Sequence, residues 1–372
     1  MFEKGVASNS KTNPKDFWKY VRKKMKTKSG VSPLLADKKD PNSLRFQDKE
    51  KADILQHQFC SVFTEEIGET PMMDKRTTKS IHTLLISEEM VKNEIRILNV
   101  NKSCGPDEIS PIILIKLVDH VAGPLAMLMN RTLQHGSLPK EWKKAFVSPI
   151  YKKGSQNIAE NYRPISLTSV VCKLMEKFMK DAVLNHLIEN NLLSRKQFGF
   201  ISGRSTVTQL LNYFDKCAET ISNGGVVDSI YFDFAKAFDT VPYKRLSVKM
   251  KAYGIEGDVL VWIEDFLTER EQCVRVNGEL SLPKPVTSGI PQGSVLGPLL
   301  FVLYINDLPD VVQSNILLFA DDTKIFQKVD SKEDALLLQK DIDELQVWSD
   351  KWLLRFNFFF IYVKKFHMTM DK

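Results

Sequence analysis

An α+β fold is predicted by three features of this sequence. Long segments carry apolar residues at helical spacing, short segments alternate in pairs around turn residues, and the composition suffices for a large core. With 43% hydrophobic and 26% charged residues, 372 residues give room for two or three lobes. Lysine and arginine outnumber the acids by 52 to 46, which permits a polyanionic partner without demanding one. Cys60, Cys104, Cys172, Cys217 and Cys273 are odd in number and scattered without a CxxC pair. That spacing argues against a disulfide framework and a zinc site, and suits a reducing, intracellular setting. The longest apolar run, residues 356–363, is too short to span a bilayer, and the N-terminus lacks an apolar signal core. A soluble protein with no membrane partner is expected.

The elements follow in order. Residues 1–84 read as a basic, helical linker segment. Within it "NPKDFWKYVRKKMKTKSG" forms a short helix, and residues 22–28, five of them basic, are read as a solvated face in preference to a nucleic-acid or nuclear-import contact. Helical spacing recurs over residues 48–64 and 87–99, the second capped by Ser87. A Gly-Pro turn at 105–106 then feeds an apolar helix, and another closes at Gly136. In "KKAFVSPIYKKGSQNIAENYRPISL" two short strands flank a basic loop, where Lys152, Lys153 and Arg163 form a workable phosphate clamp. A helix over 170–192 precedes "QFGFISGRST", whose aromatics and Arg204 could stack on and neutralise a nucleic-acid strand. Asn277-Gly278 between alternating segments predicts a two-residue hairpin. Gly289, Gly293 and Gly297 surround Pro291 and Gln292 before a helix with Pro298 in its first turn.

Two carboxylate motifs carry the chemistry. In "VVDSIYFDFAKAFDTV" the strand beginning at Ser229 ends at Asp233, whereas Asp239, open to chemistry or to capping the turn before Pro242, is left out of the candidate set. In "SNILLFADDTKIFQ" two strands flank Ala320, Asp321 and Asp322, so both aspartates project from a hairpin tip. Adjacent carboxylates among apolar strands repel one another and need a positive partner. If the two strands are neighbours in one antiparallel sheet, Asp233, Asp321 and Asp322 meet as a divalent-cation site. All-oxygen ligation suits Mg²⁺, with Mn²⁺ as a possible substitute, and two ions about 3.5–4 Å apart would hold the oxygens of an in-line phosphoryl displacement. A triphosphate is the matching ligand for the upstream cations.

The ordered blocks "PIYKKG…NYRPISL", "QFGFISGRST", "YFDFAKAFD", "SGIPQGSVLGPLLFVLYINDLP" and "LLFADD" resemble the reverse transcriptase of non-LTR retrotransposons, of the LINE and jockey kind. The resemblance runs from about residue 15 to 357. It implies a right-hand polymerase fold, with fingers over residues 85–210, palm over 211–357 and the thumb missing. Asp233 and Asp321 correspond to the two metal-binding aspartates, and Asp322 to the second acid of the paired box. Phe238 falls where the family places the aromatic that crowds the sugar 2′ position and favours deoxynucleotides. Lys152 and Arg163 match positions that contact the incoming triphosphate, and Gln292 and Gly293 lie in the segment lining the nucleotide pocket. The reaction implied is template-directed addition of deoxynucleotides to a DNA primer 3′-hydroxyl, copying RNA.

Two departures from the family pattern set further expectations. The chain starts in what resembles the linker after an endonuclease domain. Residues 358–372, with three consecutive phenylalanines and β-branched neighbours, read as an aberrant, aggregation-prone tail in place of a thumb. A truncated element copy with intact active-site residues is therefore expected, the alternative being a catalytically inactive nucleic-acid-binding remnant. The oligomeric state is not legible in the sequence.

Overall fold

The computed structural model describes residues 30–357 and the backbone of the strand Tyr362–Phe366. The basic helix expected upstream of Gly30 lies outside the described residues. In chain order the elements are β1 (Leu34–Leu35), β2 (Leu44–Arg45), α1 (Asp48–Cys60), α2 (Glu88–Arg96), α3 (Pro111–Lys116), α4 (Val118–His135), β3 (Lys144–Tyr151) and β4 (Tyr162–Leu167). They continue with α5 (Val170–Glu189), α6 (Thr206–Ser222), β5 (Val227–Phe232), the short α7 (Ala237–Thr240), α8 (Tyr243–Ala252) and α9 (Gly257–Leu267). Last come β6 (Arg270–Val276), β7 (Glu279–Leu280), β8 (Lys284–Val286), α10 (Gly297–Tyr304), β9 (Asn315–Phe319), β10 (Asp322–Lys328), α11 (Lys332–Trp352) and β11 (Tyr362–Phe366).

Local signals explain many of these boundaries. The Ser87 hydroxyl accepts from the Met90 N–H at 3.2 Å and starts α2. Gly136 in the left-handed region ends α4. Asn277 and Gly278 both take positive φ, 51° and 101°, as a two-residue hairpin turn between β6 and β7 requires.

The strands form two principal sheets. One has the order β4-β3-β6-β7, with β8 also on β6; β3 pairs antiparallel with β4 and parallel with β6. β6 thus joins β7 and β8, its neighbours in sequence, to the sheet of β3 and β4, which lies on the other side of residue 210. A parallel pair needs a long crossover, and this one encloses β5 and several helices. The other sheet, β11-β5-β10-β9, is antiparallel throughout. Its outer strand β11 lies within the tail segment 358–372, and residues 362–366 pair in register with β5, Tyr362 opposite Tyr231.

The main core lies between α4, α5 and α8 to α11 and reaches one face of β5, β9 and β10, with Trp262, Phe301 and Leu345 fully enclosed. A second cluster joins α1 to β3 and β6, and a third seats Tyr213 and Cys217 of α6 on Val227, Leu317 and Phe326. All five cysteines are free thiols. No described helix is long and apolar enough to cross a membrane.

Candidate active site

The antiparallel pairing of β5 with β10 brings the two acidic motifs together. Thr323 lies opposite Phe232, so Asp233, one residue past β5, reaches the end of β10 where Asp322 stands. Phe319 pairs with Asp322, leaving Ala320 and Asp321 as the turn. The hairpin expected from the sequence is present, its second strand beginning one residue earlier, at Asp322.

The tip is held from below. Ala320 takes a φ of 54°, unfavourable for a residue with a Cβ. Gln197 compensates: its Oε1 accepts from the Ala320 N–H at 2.9 Å and from the Gly199 N–H at 2.8 Å. The Phe198 N–H donates to the Leu318 carbonyl and the Leu318 N–H to Lys196, so "QFG" runs as an extra rung along β9. A Cβ on Gly199 would stand 2.3 Å from the Ala320 nitrogen, which is why glycine is required there.

The charges interact. Burial raises the Asp321 carboxyl above its ordinary range and the Asp233 charge raises it further, opposed by a local backbone hydrogen bond and by Lys152 and Arg163. Asp322 is also raised, first by burial, then by Asp321 and Asp233, with Lys152 opposing. Lys152 is pushed down by burial and by its neighbours Arg163 and Lys153, and held up by Asp233. The structure thus gathers Asp233, Asp321, Asp322, Lys152 and Arg163 into one electrostatic neighbourhood from three separate sequence blocks.

Among the described residues no group of three or more His, Cys, Asp or Glu side chains is drawn together closely enough to hold a metal ion as it stands. The donors are instead an open set of mutually repelling carboxylate oxygens. Such a set fits a hard divalent cation that takes the rest of its shell from water or substrate phosphate.

Beside the carboxylates, the Phe238 ring stacks on Phe301 of α10 at 4.5 Å and meets Phe200 edge-on at 6.0 Å. It is fixed from beneath and from one side. The Gln292 carbonyl accepts from the Ser166 N–H of β4 at 2.7 Å. Gly293, at a φ of 121°, passes so close to β4 that a Cβ would stand 2.5 Å from the Ser166 carbonyl. Arg204 is placed differently from the other expected residues: one guanidinium nitrogen donates to the Ser194 carbonyl at 2.6 Å and to the Gln197 carbonyl at 2.5 Å. It braces the turn that carries Gln197.

Two further residues were missed in the sequence. The fully buried Glu176 of α5 receives the Ser294 hydroxyl and the Val295 and Leu296 N–H groups on one oxygen, fixing the start of α10. Asp239, outside the candidate set, accepts from Gln292 Nε2 on its Oδ1 at 2.9 Å. No local pattern marks either contact, since each partner is more than 50 residues away.

The chain matches the family described as reverse transcriptase (RNA-dependent DNA polymerase) over residues 150–359, more than half its length, and it belongs to that family. It is 31% identical over 305 residues to the probable RNA-directed DNA polymerase from transposon BS of Drosophila melanogaster, covering 78% of this chain. It is 32% identical over 303 residues (79% of this chain) to the RNA-directed DNA polymerase from mobile element jockey, and 28% identical over 264 residues (69%) to the probable polymerase from transposon X-element, both of the same fly. These similarities place it with the jockey-like reverse transcriptases of non-LTR elements. The chain spans 32% of the length of the BS and jockey relatives and 29% of the X-element relative.

Proposed function

We propose that this chain carries the polymerising centre of an RNA-directed DNA polymerase, adding deoxynucleotides to a DNA primer 3′-hydroxyl on an RNA template. The observation that carries this reading is the pairing of β5 with β10, which brings the backbone positions of Asp233 and Asp322 to adjoining strand ends, with Asp321, Lys152 and Arg163 in electrostatic reach. Asp233, Asp321 and Asp322 would hold two Mg²⁺ ions, which supply charge neutralisation for the attacking and leaving oxygens of an in-line displacement. Lys152 and Arg163 would bind the triphosphate, Arg163 as a fork and Lys152 as a point charge. Phe238, immobilised by Phe301 and Phe200, would occupy the space a ribonucleotide 2′-hydroxyl needs.

In right-hand terms, β5, β9, β10 and β11 with the helices beneath them would be the palm. The sheet of β3 and β4 would be the fingers, and the pairing of β3 with β6 extends that body to residues 270–286. Lys152 and Arg163 on one body then face the acids on the other across a cleft.

The test is extension of a labelled DNA primer on an RNA template in Mg²⁺, with deoxynucleotides and ribonucleotides supplied separately. Extension with deoxynucleotides in clear preference is expected. Template binding without extension would leave a nucleic-acid-binding remnant, and preference for ribonucleotides would assign a different polymerase.

A further inference from the structure

The segments 238–241 and 288–292 lie side by side, 50 residues apart in sequence. The Ile290 N–H donates to the Phe238 carbonyl at 2.7 Å, the Gly289 N–H to the Val241 carbonyl at 2.9 Å, and the Ser288 hydroxyl to the Asp239 carbonyl at 2.9 Å. Among the described residues, Gln292 Nε2 is the one side-chain donor to the Asp239 carboxyl. Among the described residues Asp239 makes no ion pair within 4.0 Å. Lys236, one turn upstream, acts on it only through its charge, and Arg270 and Glu271 of β6 line the same cleft without a hydrogen bond to it. A half-buried carboxylate whose side-chain partner is a neutral carboxamide loses hydration without gaining an opposite charge.

The chemistry of the pair limits what it can do. An ionised carboxylate only accepts hydrogen bonds, whereas a carboxamide has one donating and one accepting end. Asp239 therefore decides which end of Gln292 turns toward it. Gln292 is already pinned at its backbone by Ser166, so its amide orientation is the remaining freedom.

We infer that Asp239 is a positioning residue, which locks the Gln292 carboxamide with Nε2 inward and Oε1 as the acceptor offered to a hydroxyl or amine donor of the incoming nucleotide. This rests on the reading of Gln292 as part of the nucleotide pocket. Burial pushes the Asp239 carboxyl up to about 6, against the Gln292 bond and the Lys236 charge. Below that pH the protonated acid becomes a donor and favours the inverted amide. Nucleotide affinity should accordingly fall as pH drops through 6.

Asp239→Leu removes the acceptor, at the cost of a bulkier side chain, while Asp239→Asn keeps the volume and an acceptor that cannot titrate. The deoxynucleotide KM is expected to rise about tenfold in Asp239→Leu, with kcat and primer-template affinity within about twofold of wild type. Adding Asp239→Leu to Gln292→Leu should cause no further loss, since the first acts through the second. Asp239→Asn should recover most of the affinity at pH 8 and lose its pH dependence between 5 and 7. A folded Asp239→Leu with unchanged KM, or losses that add to those of Gln292→Leu, would overturn the inference. If Asp239→Leu does not fold, a wild-type pH dependence retained in Asp239→Asn overturns it instead. Equilibrium binding of a fluorescent deoxynucleotide in Mg²⁺ gives the same comparisons without turnover. A chain that binds but does not extend therefore sinks the polymerase reading while still deciding the role of Asp239.

Discussion

Single residues hold this site where it is. Ala320 occupies a backbone conformation that costs about 1–2 kcal/mol for a residue with a Cβ, and it does so directly before Asp321. Gln197 and the glycine two residues on keep it there. Gly199→Ala would force a methyl against the Ala320 nitrogen, and displacing the tip by even about 1 Å should slow extension roughly a hundredfold. A normal thermal melt with defective single-turnover extension is the expected pair of results; undiminished extension would show that the tip is not held by this contact. Lys324, on the strand after the acids, is enclosed with its ammonium 3.6 Å from the Tyr213 ring centre, and burial lowers its pKa to about 8. Its folded pKa lies below the ordinary 10.5, so the unfolded chain binds the proton more tightly between those values. Stability should therefore gain from this residue as pH rises from 8 toward 10.5. Unfolding midpoints measured across that interval should rise less in Lys324→Met than in wild type.

At the scale of elements, the helices that share the core with the acid-bearing sheet are tied to one another by a buried cluster. Lys249 of α8, fully enclosed, donates to Asp307 at 2.5 Å and to the Tyr304 carbonyl at 2.6 Å, and lies 3.9 Å from the Trp352 ring centre. Asp307 also accepts from the Trp348 indole at 3.1 Å, so α8, α10 and α11 meet at one ion pair. Lys249→Ala strands a buried carboxylate and should cost about 3–5 kcal/mol in denaturant unfolding, more than the joint change of Lys249→Met and Asp307→Leu. A loss below 1 kcal/mol in the single variant would contradict this role.

The same scale shows what was legible in the sequence. The β9–β10 and β6–β7 hairpins and the α2 cap were readable because alternation, turn residues and cap residues act over a few positions. The parallel pairing of β3 with β6 was not, since its two strands carry no mutual signal across the crossover. Asp239 stayed open for the same reason: a carboxylate before Pro242 can cap a turn or do chemistry, and only the fold brings Gln292 to it. Arg204 was read for its charge, and its hydrogen bonds to the Ser194 and Gln197 carbonyls were not legible because no local pattern marks them.

Across the whole molecule, two sheets are built from interleaved stretches of sequence. The chain leaves the first sheet after β4, builds β5 and its helices, returns to the first sheet for β6 to β8, and comes back to complete the hairpin. The cations at the end of β3 and on β4 and the acids at the ends of β5 and β10 are therefore positioned by different sheets, and Gln292 bonds to Ser166 of β4 and to Asp239 just past β5. The most direct test compares Mg²⁺-dependent extension of a DNA primer on RNA by the wild-type chain and by Asp321→Asn, both shown to be folded and to bind primer-template equally. The paired-carboxylate account predicts extension by the wild type and a loss of roughly a hundredfold or more in Asp321→Asn, the equivalent of several kcal/mol of charge stabilisation. Equal extension by the two proteins would contradict it.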